Sequence, residues 1–464
     1  MPISGSVANT GAQTVVIDPL PTNVSAVSVR SSYLYSGSTT RLMIAYMPWF
    51  CNSSNPCNGH TSIGMDESNA AQVLAQAEAM KTAGFDVVNV DYYGCSTSCP
   101  TPQSSSKAYN LSVTTALANA IAANPSLTPK FMLRLDGGAI NGSGTGQCPP
   151  AGGDQSVCLI SAIEIQIDYM EATWLAQSYY EKNATNSHPI VLYFVDQTDW
   201  PGTNFNTVFS AVAAHATSGQ SCGSGCTYAA TVDFVDENSG AFSESGINGG
   251  FAWPHPNAWS ITNQFCWDGN CTNTYLSNFY SVARANPSQI AIGSLYKGFD
   301  DSVASFGQNR VIAQQCGQVL GLTAAQISTA GYSSSSQLQY VFLSTWNDYE
   351  EGTAVEAGVD NCITIGTPVI VGNTLSWSLV KSDATYASTS TISSFSIYTG
   401  TASPTTLFAS GISASSTSNA APPPAVGQNV WVYMVGQSLI QNRLSPGIPD
   451  VPSVAPAATM FAKN

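Results

Sequence analysis

The stretch Ser344–Glu356, STWNDYEEGTAVE, puts four acids, Asp348, Glu350, Glu351 and Glu356, into nine positions of a chain in which only 9% of residues are charged. Asp348 and Glu351 stand three residues apart, about one turn of chain, so their carboxyls share one neighbourhood while Glu350 points elsewhere. Two carboxylates that close repel, which raises one pKa and lowers the other and so makes an acid and a base from like groups. Cleavage of a glycosidic bond needs that division of labour. One of the pair would protonate the leaving oxygen and the other, ionised, would activate a nucleophile or a hydroxyl. Trp346 and Tyr349 flank the pair, and Trp49, Tyr92, Tyr93 and Trp253 close other apolar runs, offering flat faces to pyranose rings. Competing chemistries lack their residues: there is no G-x-S-x-G elbow after a strand, no Walker sequence and no EF-hand loop, and the chain has four histidines. No metal and no cofactor is expected.

Eight apolar, β-branched runs are available to position these groups: RLMIAYMPW from Arg41, FDVVNVDYY from Phe85, KFMLRLDGG from Lys130, PIVLYFVDQ from Pro189, YAATVDFVDE from Tyr228, GGFAWPHP from Gly249, QIAIGSLYKGFD from Gln289 and QYVFLSTWND from Gln339. Helical patterns lie between them, such as DESNAAQVLAQAEAMKTAG from Asp66, NLSVTTALANAIAAN from Asn110 and LISAIEIQIDYMEATWLAQSYYE from Leu159. Continuously apolar strands alternating with helices argue for a parallel sheet covered on its outer face, and eight repeats argue for a closed (β/α)8 TIM barrel. Chemistry in such a barrel sits at the C-terminal ends of the strands. Six runs end in acids, namely Asp91, Asp136, Asp196, Asp233 with Asp236, Asp300, and Asp348. Asp91, Asp136 and Asp196 are expected to hold sugar hydroxyls; the alternative for each is a helix cap or turn.

Residues 1–38 read as an N-terminal extension, 39–362 as the barrel and 363–464 as a C-terminal antiparallel β-sandwich, because apolar and polar residues alternate between turn signals past Cys362. The start MPISGSVANTG has neither a basic nor an apolar leader region. Net charge is -15, with 13 Lys+Arg against 28 Asp+Glu, which disfavours nucleic acid and anionic membranes as partners. No apolar run is long enough for a membrane span. Twelve cysteines fall mostly as short-range couples in Gly/Ser/Asn-rich segments, as disulfides pinning loops do: Cys51 with Cys57, Cys95 with Cys99, Cys148 with Cys158, Cys222 with Cys226, Cys266 with Cys271 and, by elimination, Cys316 with Cys362. Zinc is the competing reading and finds no histidine at ligand spacing. Disulfides imply a secreted, extracellular or periplasmic protein, here expected to be a monomer. Sequons at Asn23, Asn52, Asn110, Asn141, Asn183 and Asn270 would take glycans in a eukaryotic host.

IAYMPWF, GHTSIGMDESNAAQVLAQAEAMKTAGFDVVNVDYYG, YKGFDDS and STWNDYEEGTAVE, in that order from Ile44 to Glu356, together resemble glycoside hydrolase family 99, which pairs a Y-x-P-W start with a final WNEWxEGTxxE. The last stretch is also similar to the WNDYGES of the family 71 α-1,3-glucanases. The resemblance implies a (β/α)8 barrel acting on an α-mannan or α-glucan, with Asp348 and Glu351 as the catalytic pair, Glu351 protonating the leaving oxygen and Asp348 serving as base. It also implies that Tyr46, Trp49, His60, Trp346 and Asn347 line the substrate. Asp348 replaces the family 99 Glu, and Tyr349 its Trp. A side chain one methylene shorter retracts the carboxylate by roughly 1.5 Å, leaving room for a water and opening an inverting route beside the family's retaining one. Trp377 and Tyr433 are spaced as in fibronectin type III domains; sugar binding by exposed sandwich aromatics stands against their being core. A non-catalytic carbohydrate-binding protein on the same barrel is the alternative to a hydrolase.

Overall fold

The computed structural model describes residues 26–49, 69–94, 105–141, 147–217, 231–254, 275–302, 304, 307, 310–356, 358–423 and 425–450. The eight apolar runs become β1 (Arg41–Tyr46), β2 (Val87–Tyr92), β3 (Lys130–Asp136), β4 (Ile190–Phe194), β5 (Asp233–Glu237), β6 (Gly249–Phe251), β7 (Ile290–Tyr296) and, after the short antiparallel pair β8 (Phe299–Asp300) and β9 (Val311–Ile312), β10 (Tyr340–Ser344). They close in the order β1-β10-β7-β6-β5-β4-β3-β2, every neighbouring pair parallel. This is the closed barrel expected from the sequence.

The strands are apolar on both faces because one face meets the helices and the other fills the barrel. Helices α1 (Ala26–Tyr33), α2 (Ala70–Thr82), α3 (Ser105–Ala123), α4 (Gly137–Ile140), α5 (Ser156–Met170), α6 (Phe205–Thr217), α7 (Tyr275–Ala285) and α8 (Gln318–Thr329) accompany them. Asn69 caps α2, its side-chain oxygen accepting from the Ala71 N–H at 3.0 Å, and Gly84 follows the helix at a positive φ of 95°. The pattern from Leu159 breaks earlier than its periodicity suggests. After α5 one π-turn, Glu171–Leu175, ends the helix. The chain then extends so that Glu181 N–H donates to Phe131 O at 2.8 Å.

Past Cys362 come β11 (Ile363–Ile365), β12 (Val369–Val371), β13 (Thr374–Ser376), β14 (Leu379–Lys381), β15 (Ile392–Gly400), β16 (Thr406–Ser413), β17 (Ser418–Ala420), β18 (Asn429–Gly436), β19 (Arg443–Leu444) and β20 (Ile448–Pro449). They form antiparallel sheets, the largest ordered β16-β15-β18-β19, around a separate core. Trp377 lies in that core against Phe395, 5.3 Å between ring centroids, so it is a packing residue and not an exposed sugar platform.

Two of the six expected disulfides, Cys148–Cys158 and Cys316–Cys362, are formed. The other four couples fall outside the described residues, as do His60 and the sequons at Asn23, Asn52 and Asn270. Asn110 and Asn183 are buried, and Asn183 Nδ2 donates to Asp233 at 2.6 Å, so neither side chain is open to a glycan. Asn141 Nδ2 is also engaged, with Asp199 at 3.1 Å.

Candidate active site

Strand alternation decides which side chains reach the barrel interior. At the C-terminal end of β3, Arg134 points inward and is 0% exposed. Its Nη2 donates to Asp91 Oδ2 at 2.6 Å and its Nε to Oδ1 at 3.3 Å. The guanidinium lies over the ring of Trp253 at 4.1 Å and that of Phe194 at 4.7 Å, two cation–π contacts that pin it across the barrel axis. A buried arginine needs such a set of partners, since an unpaired interior charge is costly.

The stretch Thr345–Glu356 begins where β10 ends. Trp346 N–H donates to Ala45 O at 2.7 Å, and the Asn347 amide donates to Met47 O and accepts from Met47 N–H, both at 2.8 Å. The loop is thereby stitched to β1. Thr345 Oγ1 accepts from Asp348 N–H at 2.8 Å, and Asp348 Oδ1 accepts from Glu351 N–H at 2.9 Å. Glu351 O in turn accepts from Asp300 N–H at 2.8 Å, fastening the loop to β8. Gly352 turns the chain at φ 62°, where an added Cβ would press on Asp300 at 3.3 Å.

Asp348 is 4% exposed and Glu351 is half-buried. Burial pushes the Asp348 carboxyl up to about 7, with the Glu350 and Asp91 charges adding to it and the Glu351 N–H and Arg134 opposing. Glu351 is held well above its ordinary value, first by burial and then by the Asp348 charge, against the pull of Arg310 and Arg134. Two carboxyls that resist ionisation side by side at a strand mouth can hold and transfer a proton at neutral pH. Arg310 is fixed by Asp301, Nε to Oδ2 at 2.7 Å.

The other expected site residues divide into those at the mouth and those turned away. Trp49 is half-buried at the end of β1 and meets Tyr93 edge-on at 4.9 Å. Trp253 is inside the barrel, but one of its faces is taken by Arg134. Asp91 spends both oxygens on Arg134 and is a counter-ion, not a free hydroxyl acceptor. Asp136 and Asp196 sit at the rim, each with Oδ1 accepting a backbone N–H, from Gly138 at 2.6 Å and Thr198 at 2.9 Å. This is the capping alternative, and Asp300 does the same for Ser302 at 3.0 Å.

Four expected substrate contacts point elsewhere. Tyr92 faces the helices, its hydroxyl donating to Gln166 at 3.2 Å and its ring meeting Trp174. Tyr46 pairs in register with Val90 and is fully buried. Trp346 is buried, its Nε1 donating to Gln76 on α2, and Asn347 is consumed by Met47. Asp233 and Asp236 are not mouth acids either. Asp233 opens β5 at the opposite end of the barrel, where Asn183 and His188 hold it, and Asp236 turns outward to Gln197 at 3.1 Å.

No model of a known protein family matches the chain, and no curated protein does. Among solved structures it is similar to the glycoside hydrolase family 99 endo-α-mannosidase from Bacteroides thetaiotaomicron, with 13% identity and a TM-score of 0.46, over 69% of this chain and 87% of that one. It is also similar to the modular endo-β-1,4-mannanase from Cellulomonas fimi, of glycoside hydrolase family 26, with 8% identity and a TM-score of 0.37, over 93% and 99%.

Three residues join the site that the sequence reading passes over. Arg134 was detectable as a lone base inside an apolar strand. Glu237, the last residue of β5, lies at the mouth, its carboxyl raised to about 7 by burial and by Asp196 against the pull of Arg134. Tyr275 is set beside it, its hydroxyl accepting from Trp253 N–H at 3.3 Å. Among the described residues, no group of three or more His, Cys, Asp or Glu converges as a metal centre, and no helix is long and apolar enough to cross a membrane.

Proposed function

We propose that this chain is a secreted glycoside hydrolase that cuts a glycosidic bond within an α-mannan or α-glucan. Glu351 is the group that protonates the leaving oxygen, and a second, ionised carboxyl completes the reaction, the role the sequence reading gives to Asp348. The observation that carries this reading is Glu351 itself, part-exposed at the open end of the barrel with its proton held by burial and by Asp348. The Trp49–Tyr93 pair supplies the flat apolar surface that a sugar chain needs.

The test is release of new reducing ends from a panel of α-mannans and α-glucans by the parent and by Glu351→Gln. The variant is expected to lose at least about a thousandfold in kcat while still retaining polysaccharide in an affinity gel. Parent-level turnover by Glu351→Gln would refute the assignment. Binding without cleavage by the parent would instead support the carbohydrate-binding alternative.

A further inference from the structure

We infer that Glu237, and not Asp348, is the base that activates the attacking water, so that the reaction inverts the anomeric carbon. The inference rests on the hydrolase reading above and concerns the same mouth.

Asp348 is poorly disposed to meet a water. It is 4% exposed, its Oδ1 accepts from Glu351 N–H, and its short side chain sits on the same loop as the proton donor. A base beside the proton donor is ill placed to direct a water to the face opposite the leaving group. Glu237 has the complementary properties. It ends β5, in register with Phe251, whose ring meets Phe342 inside the barrel at 6.3 Å, so its side chain enters the mouth. Glu237 is half-buried, and no hydrogen bond to its carboxyl is recorded among the described residues. The strands β6 and β7 separate it from β10 around the ring. The two groups therefore rise from different arcs of the wall, as an acid and a base that take a sugar and a water between them must. Inverting pairs are about 6.5–9.5 Å apart for that reason, whereas retaining pairs are about 5–5.5 Å apart.

Arg134 lies between the two sides and favours the charged form of both glutamates. Burial raises both carboxyls, and the neighbouring charge differs, Asp348 for Glu351 and Asp196 for Glu237, the unlike surroundings that an acid–base pair requires. Asp348 then acts as a positioning residue: its Oδ1 fixes the Glu351 backbone, and its charge keeps the Glu351 proton in place. In the bond-changing step the Glu237 carboxylate takes a proton from water as the water oxygen bonds to the anomeric carbon. The glycosidic C–O bond breaks, its electron pair goes to the leaving oxygen, and Glu351 supplies the proton that oxygen needs. Water is consumed and no other reactant is required.

The decisive measurement is the configuration of the first-formed product, followed by proton NMR before mutarotation, on the best polysaccharide of the panel. Inversion is expected. Glu237→Gln, an isosteric change whose folding is checked by its unfolding midpoint, is expected to lower kcat at least a thousandfold with KM within a fewfold of the parent. In Glu237→Ala, azide is expected to restore turnover and give a glycosyl azide of inverted configuration, while Asp348→Ala gains nothing from azide. A retained first product, or Glu237→Gln at the parent rate, overturns the inference. Either result leaves the hydrolase reading standing, because it requires that the parent cleave; that reading fails separately, if the parent releases no reducing ends.

Discussion

Replacing Asp348 with Asn should remove a loss of stability that the parent suffers as pH rises from acid to alkaline. The folded carboxyl titrates at about 7 against an ordinary 3.8, so between those values the native state holds a proton that the unfolded chain has released. Stability is then complete below the unfolded value and falls as pH rises toward the folded one. At about 1.4 kcal/mol per pH unit the whole displacement corresponds to about 4 kcal/mol, and burial of the group leaves little solvent to screen it. Asn keeps the oxygen that accepts from Glu351 N–H. Its new amide costs on the order of 1–3 kcal/mol where it lacks a partner, but that cost is the same at every pH, so the comparison across pH isolates the titration. Urea unfolding at pH 4 and pH 8.5, followed by near-UV circular dichroism, is the assay. The parent should lose stability between the two conditions, and the variant should lose about 4 kcal/mol less. Equal losses in the two proteins would refute the claim that burial holds the Asp348 proton.

Arg134→Met should cost about 3–5 kcal/mol, because it leaves Asp91 buried without its counter-ion; adding Asp91→Leu should recover part of the loss in the same urea assay. Removing the Cys316–Cys362 bridge with serines should lower stability by about 4 kcal/mol, the loop-closure entropy for its sequence separation of 46, read as a shift in the thermal midpoint. Because the ionised base is required and the mouth carboxyls Asp348 and Glu237 titrate at about 7, kcat/KM should rise with pH through about 7. A rate that is flat from pH 5 to 8 would contradict this.

The barrel is legible in the sequence because each strand is apolar on both faces, and a run such as RLMIAY or IAIGSLY carries that requirement with no knowledge of its neighbours. The site is less legible because it depends on which face each residue takes. DFVDE holds three acids, and only the register of β5 shows that Asp233 lies at the far end, Asp236 turns outward and Glu237 enters the mouth. Asp91 and Tyr92 are adjacent, yet alternation sends one to Arg134 and the other to Gln166. Trp346 and Asn347 sit in the most conspicuous motif and still serve α2 and β1, because the backbone must be fastened before Asp348 and Glu351 can be aimed. The rim aspartates Asp136, Asp196 and Asp300 each accept a backbone N–H, since a strand handing over to a turn or helix needs that side chain.

The amide of Asn347 grips Met47 across 300 residues of chain. That clasp brings the first barrel strand beside the last, so the ring keeps two open edges until β10 (Tyr340–Ser344) is available to close it. The loop bearing Asp348 and Glu351 can take shape only after the ring shuts, which makes the acid-bearing mouth one of the final features to mature and withholds it from any fragment ending before residue 347.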